Sequence, residues 1–231
     1  MIKLKPSNHH RSVKLYIMKK RHYSRIDRLI QAFDNSLRTL TLIPQSSRPN
    51  PAGNTVMAAE LNETEKKHIA GLMRINHTGE ICAQALYQAQ ALTAKNPAIQ
   101  QTMRHASIEE NDHLNWCASR LQALESHTSY LTPLWYSASF AIGTMAGLAG
   151  DRWNLGFVAE TEDQVTHHLE QHLRQIPEKD TKTRAILSQM VTDEKQHAEQ
   201  ARNQGGKKLP WPIRFGMQLT AKIMTTTAYR I

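Results

Sequence analysis

A chain of 231 residues can bury a full hydrophobic core and is most simply one domain with tails. Its net charge of +9 comes largely from the two ends, and its two cysteines, Cys82 and Cys117, have no Cys-x-x-Cys partner. A disulfide-stapled fold or a dithiol redox centre is therefore not expected, and no Gly-x-Gly-x-x-Gly marks a nicotinamide or flavin fold.

Residues 1–21 carry Lys3, Lys5, Arg11, Lys14, Lys19, Lys20 and Arg21 without an acid, and lack the continuous apolar run of a signal peptide. They are expected to form a disordered basic extension. Met18 opens a second plausible start, so residues 1–17 stand either within the protein or upstream of its initiator. Residues 22–53 predict an amphipathic helix and a linker. Ser24 can cap a helix that keeps Ile26, Leu29, Ile30, Phe33, Leu37 and Leu40 on one face, and prolines and serines fill 44–53.

From residue 54 to 231 the periodicity predicts an all-α domain. A first bundle helix over about 64–93 carries Glu80. Asn96 and Pro97 then cap and open a second, about 98–125, with Glu110 and His113. Residues 131–150 hold no charged residue. A helix of that length reaches about 30 Å. Yet Pro133, Ser137, Ser139 and several glycines dilute its hydrophobicity, and Gly143 and Gly147 suit close helix packing. The expectation is an apolar crossover helix on the bundle, dipping into a membrane interface through Trp135, Phe140, Ile142 and Met145 rather than spanning. A third helix from Asp151 to about Gln175 carries Glu162 and stops before Pro177. A fourth, about 180–203, carries Glu194 and His197 and stops at Gly205-Gly206. The last stretch, 209–231, mixes Trp211, Phe215 and Leu219 with Arg214 and Lys222. It reads either as an interfacial segment or as a tail that completes the bundle. Basic ends interleaved with apolar residues favour a membrane surface over nucleic acid as partner.

The chemistry lies in Glu-x-x-His, present twice, as Glu110–His113 and Glu194–His197, each preceded at hairpin distance by a lone acid, Glu80 or Glu162. Residues i and i+3 share a helix face, so each pair can reach one centre. Apolar residues flank both motifs, which makes solvated polar faces the poorer explanation. Four carboxylates and two imidazoles form the ligand set of a carboxylate-bridged di-iron site in a four-helix bundle, and two divalent cations balance four glutamates. Two short hairpins joined by a long crossover give ferritin-like connectivity. Glu109 and Asp193 either orient the opposed histidines or are solvated surface acids. His167, His168 and Glu160 are off the ligand face, while His77, Glu63, Glu65 and His105 are assigned no role.

Asn76-His77-Thr78-Gly79-Glu80, Glu110-Asn-Asp-His113, Leu155 to Glu162, Asp193 to His197 and the ending Met224 to Ile231 stand in order over about 55–231. In these segments the chain resembles the di-iron demethoxyubiquinone hydroxylases of ubiquinone biosynthesis. The resemblance implies two iron ions per chain, held by Glu80, Glu110, His113, Glu162, Glu194 and His197. It also implies a quinol monooxygenase that uses O₂ to convert 3-demethoxyubiquinol to 3-demethylubiquinol, with a polyprenyl quinol as substrate. No catalytic residue beyond the metal ligands is implied, and the sequence does not name the electron donor. The enzyme would sit peripherally on the cytoplasmic side of the cell membrane, where other ubiquinone-biosynthesis proteins are candidate partners. Residues 1–50 lie outside the resemblance. The ligand set alone also fits an iron-storing cage, or a membrane-anchored factor that keeps the site as a structural staple.

Overall fold

A computed structural model describes residues 24–42, 45–54 and 60–231; the basic extension 1–21 and the alternative start at Met18 lie outside the described residues. Among the described residues all regular structure is helical. The helices are α1 (Arg25–Thr41), α2 (Glu63–Thr93), α3 (Pro97–Ala123), α4 (Thr132–Leu148), α5 (Asp151–Gln175), α6 (Thr181–Asn203) and α7 (Trp211–Ala228), with one 3₁₀ turn at Pro51–Asn54.

Local chemistry sets the helix ends. At α1 the Ser24 hydroxyl accepts the Asp27 N–H while the Asp27 carboxylate accepts the Ser24 N–H. Asn62 and Glu65 repeat this capping box at α2. Asn96 accepts the Ala98 N–H ahead of α3, whose first residue is Pro97, and Asp180 accepts the Thr183 N–H at α6. Beyond α6, Gly205 takes φ +97, a left-handed conformation that lets Gly206 N–H reach back to the Ala201 carbonyl at 3.1 Å.

α2 and α3 form one hairpin, α5 and α6 the other, and α3–α6 and α2–α5 contacts close a ferritin-like bundle. The crossover helix α4 lies along α2. A Cβ on Gly143 would stand 2.9 Å from the Leu86 carbonyl oxygen, so the small residues serve close packing between these two helices. No helix among the described residues is long and apolar enough to cross a membrane. α7 folds back over the bundle and ends in a latch: the Tyr229 hydroxyl lies 2.8 Å from His68 Nδ1, and the Tyr229 carbonyl accepts from Arg74 Nη1 at 2.8 Å. Every residue of α2 from Ile69 to Thr78 is buried, because neighbours cover the helix on several sides.

Besides a small cluster of Ile81, Ala85, Leu114 and Tyr136, the core forms two apolar layers. One contains Leu72, Met73, Trp116, Leu121, Leu187 and Met190; the other contains Tyr87, Ile99, Met103, Leu155, Val158 and Ala201. Glu80, Glu110, Glu162 and Glu194 fall between those layers along their helices. Of the crossover residues expected at a membrane, only Met145 is exposed. Trp135 and Ile142 line a cavity that opens to the surface, and Phe140 packs beside Tyr136. Trp135, Phe140 and Ile142 are half-buried, and the exposed apolar side chains of α4 are Leu134, Met145 and Leu148.

Burial pushes the imidazoles of His77 and His172 down to about 4. His172 accordingly stands neutral, donating Nδ1–H to Asn76 Oδ1 at 2.8 Å. Unfolding restores an ordinary value near 6.5. The unfolded chain therefore binds the extra protons, and this stability is whole above pH 6.5 and lost as pH falls toward 4. The loss should approach about 3 kcal/mol for His172. Urea midpoints of the metal-free protein from pH 7.5 to 4.5 check this: His172→Gln, which retains an amide donor, should flatten the acid limb relative to wild type.

Candidate metal centre

The six residues nominated from the sequence converge. Glu80 (α2), Glu110 and His113 (α3), Glu162 (α5), and Glu194 and His197 (α6) are all buried. Ligand atoms of Glu80, Glu110, His113 and Glu194 lie within 4.8 Å of one another. Glu110 and Glu194 each span both imidazoles. Glu110 places Oε2 3.1 Å from His113 Nδ1 and Oε1 3.5 Å from His197 Nδ1. Glu194 places Oε1 3.0 Å from His113 Nδ1 and Oε2 3.1 Å from His197 Nδ1. Glu80 stands on the His113 side, 3.7 Å from Nδ1. Glu162 accepts a hydrogen bond from the Tyr87 hydroxyl at 2.5 Å, and the Tyr87 ring meets His197 edge-on.

The outer nitrogens are fixed by the acids that precede the motif glutamates. His113 Nε2 donates to Asp193 Oδ2 and His197 Nε2 to Glu109 Oε2, both at 2.9 Å. Each acid serves the histidine of the opposite hairpin, so it orients that ring and leaves Nδ1 to face inward. Other candidates stay outside the cluster. His167 is exposed and bonded to Gln171, His168 stacks on His172, and Glu160 pairs with Arg214 at 2.7 Å. Glu65 caps α2, Glu63 pairs with Lys66, and His105 lies exposed beside Glu109.

Three contributors escaped the sequence reading. Tyr87 lies two helical turns after Glu80 on the same face, a spacing that could have revealed it. Asp112 and Arg48 form an ion pair at 2.6 Å beside His113. Arg48 comes from the linker, where no periodicity points to a site.

Electrostatics show what the cluster is built to hold. Burial, then the charge of Glu194, raises the Glu110 and Glu162 carboxyls well above the ordinary range. Burial also acts to raise Glu194, but the two imidazoles overcome it and hold that carboxyl at about 2. His113 and His197 resist the lowering effect of burial. Glu110 and Glu194 charge raises the first, and hydrogen bonds to Glu109 and Glu194 bring the second to about 11. Without metal, protons balance the acids. Glu110 Oε1 and Glu194 Oε1 are buried and face only the imidazole Nδ1 atoms of His197 and His113, at 3.5 and 3.0 Å. Hard carboxylate oxygens and imidazole nitrogens, buried together with their ligand atoms a few ångströms apart, fit divalent transition metals.

Beside Glu80 lies an apolar cavity of about 350 Å³, between α2, α4, α5 and α7. Trp135, Ile142, Phe157, Met217 and Met224 supply much of its wall, and Asn76, Thr161 and Gln164 supply polar atoms. Its size and mixed lining suit an apolar ligand carrying a polar head.

Metal binding must displace the protons that now balance the cluster. Loading the metal-free protein with two equivalents of a divalent ion at pH 7 should release up to about four protons, from two carboxyls and two imidazoliums. Proton release in weak buffer checks this. The melting temperature should rise on loading and fall back with a chelator.

Residues 67–228 match the family described as ubiquinone biosynthesis protein COQ7. A 3-demethoxyubiquinol 3-hydroxylase of Pseudomonas putida is 57% identical over 212 residues, which cover 91% of this chain and 98% of that protein. A protein of the same name from Polynucleobacter asymbioticus is 54% identical over 208 residues, covering 90% of this chain and all of its own. Another, from Ectopseudomonas mendocina, is 57% identical over 214 residues, covering 91% and 98%. The chain belongs to the ubiquinone biosynthesis protein COQ7 family.

Proposed function

We propose that this chain is an O₂-dependent di-iron monooxygenase that converts 3-demethoxyubiquinol to 3-demethylubiquinol. The observation that carries the reading is the pair of glutamates, Glu110 and Glu194, each reaching both imidazoles, in a buried site beside an apolar cavity. Glu80, Glu110 and His113 would hold one iron, and Glu162, Glu194 and His197 the other, with Glu110 and Glu194 within reach of both histidines. When bound, the two irons supply the reduction and cleavage of O₂. One oxygen atom enters the ring and the other leaves as water, which consumes two electrons and two protons; a separate donor of the electrons leaves the product a quinol, whereas electrons drawn from the bound quinol leave it a quinone.

The chain's own groups bind, orient and exclude water. Trp135, Ile142, Phe157 and Met217 give the isoprenoid an apolar wall, and Thr161 and Gln164 offer hydrogen bonds to the ring oxygens. Glu109 and Asp193 fix the histidines, while Tyr87 fixes Glu162. Residues 54–231 serve as the di-iron domain, and α7 as its interfacial segment. Trp211, Phe215 and Leu219 are 73%, 57% and 54% exposed, with Lys207, Lys208 and Lys222 near them in sequence. The proposed position is peripheral, on the cytoplasmic side of the cell membrane, with the isoprenoid quinol entering the cavity from the lipid; this exposed apolar and basic surface supports it. This surface also suits contact with other ubiquinone-biosynthesis proteins.

Purified iron-loaded protein given a demethoxy-quinol, a reductant and ¹⁸O₂ should yield a hydroxylated ring carrying one labelled atom by mass spectrometry. An unlabelled or unchanged quinol defeats the proposal. Glu110→Ala and Glu194→Ala should each lower iron content and abolish turnover, because each removes a charge that balances metal in a low-dielectric interior. His113→Ala should keep more iron than either while losing most activity.

The membrane reading has its own test. Phe215→Asp with Leu219→Asp should weaken co-sedimentation with anionic vesicles at least about tenfold, since each apolar side chain contributes roughly 1.5–3 kcal/mol when buried. The KM should rise for long-tailed quinols and not for short-tailed analogues. Equal losses for both substrates would remove the access argument.

A further inference from the structure

A strap crosses the outside of the metal centre, and the proposed chemistry gives it no role. It is Ser46-Ser47-Arg48, ahead of the residues that match the family, 67–228. Its anchor is Asp112, buried next to His113 in sequence. Asp112 accepts the Ser47 N–H at 2.6 Å, the Ser46 hydroxyl at 3.0 Å and Arg48 Nε at 2.6 Å. The same guanidinium places Nη2 2.9 Å from Asp193 Oδ2, the oxygen that accepts from His113 Nε2. It also lies 4.9 Å from the centre of the Trp116 ring. Gln189 holds the other oxygen of Asp193 at 2.9 Å. Asp112, Arg48, Asp193 and His113 thus form one continuous chain of charge-assisted contacts.

The opposite half is braced differently. His197 Nε2 donates to Glu109, but that carboxylate is 36% exposed, and its other ion-pair partner is exposed His105 at 3.4 Å. A carboxylate held by an arginine fork and an amide keeps its acceptor oxygen in place. One that faces solvent can rotate and rehydrate. Ring orientation at a metal follows its outer acceptor, and losing such an acceptor costs about 10–100-fold in affinity.

We infer that Arg48 is a positioning residue for the His113 half of the centre, and that the strap makes the two metal positions unequal, with the His113 position the tighter. This rests on the metal reading above. Lysine cannot replace Arg48 fully, because a point charge does not span Asp112 and Asp193 as a planar fork does.

The test is cobalt(II) titration of the metal-free full chain, followed by visible absorption against a competing chelator. Wild type should take up two ions in unequal steps. Arg48→Ala should weaken the tighter step about tenfold and shift its absorption band, leaving the weaker step within about twofold. Arg48→Lys should fall between, and it carries the comparison if Arg48→Ala does not fold. Glu109→Gln should weaken the other step instead. Unchanged steps and bands in both Arg48 variants, or equal weakening of both steps, overturn the inference, since loss of strap docking alone would lower only the melting temperature. A wild-type chain that binds no cobalt overturns the metal reading and this inference together. Two bound ions that ignore Arg48 overturn this inference alone.

Discussion

Four glutamates confined with two histidines between apolar layers set the terms for the rest of the molecule. Carboxylates that are stripped of water need compensating positive charge, from protons or from metal, and removing either leaves a cost of several kcal/mol per ion. That requirement explains why the imidazoles are held cationic without metal, why their outer nitrogens meet further acids, and why the layers above and below contain residues such as Met73, Met103, Leu155 and Met190. An apolar surround strengthens every charge interaction inside it. The bundle therefore holds a cluster that a wetter or looser core would hydrate and disperse.

α2 connects this charge problem to a route for substrate. It contributes Glu80 to the cluster, Tyr87 to Glu162, and Gly79, Cys82 and Leu86 to the cavity wall. One helix with nearly every face buried must give each face a different neighbour, which is why its sequence shows little amphipathicity. α4 can lie close against it only through Gly143 and Gly147. α7 completes the cavity wall and is tied to α2 at Tyr229, whose ring occupies the space beside Gly71. The latch makes the cavity a property of the folded C-terminus as well as of the bundle.

Much of this was legible in the sequence because helices impose a strict geometry on spacing. The two Glu-x-x-His pairs, their preceding glutamates, the hairpin lengths and the caps at Ser24, Asn96 and Gly205 depend only on local periodicity, and the structure places each accordingly. Glu109 and Asp193 were legible as neighbours of ligands, but their choice of the opposite hairpin's histidine depends on how the hairpins meet. Rotation of α4 about its axis was not legible. Its charge-free sequence, with small polar residues scattered among the apolar ones, gives no preferred face, so Phe140 and Ile142 read as lipid-facing when one packs beside Tyr136 and the other lines the cavity. Arg48 was least legible. A lone arginine among prolines and serines carries no period, and its partners stand more than sixty residues away.

The surroundings of the cluster also separate an oxygen-using enzyme from an iron store with the same ligands. A store must pass a stream of hydrated cations, and that calls for acids along the path. The larger cavity on the other flank, about 770 Å³ between α1, α2 and α3, reaches Tyr87 but is lined by amides and by Arg38 and Arg104, with no carboxylate among the described residues. Cations gain nothing by entering it. The cavity that reaches Glu80 is mainly apolar, which admits O₂ and an isoprenoid and disfavours a hydrated ion. Neither cavity presents the row of acids that a stream of cations would use, and one of them gives an apolar ligand direct approach to Glu80. An accessible apolar site beside the buried cluster suits a water-insoluble quinol.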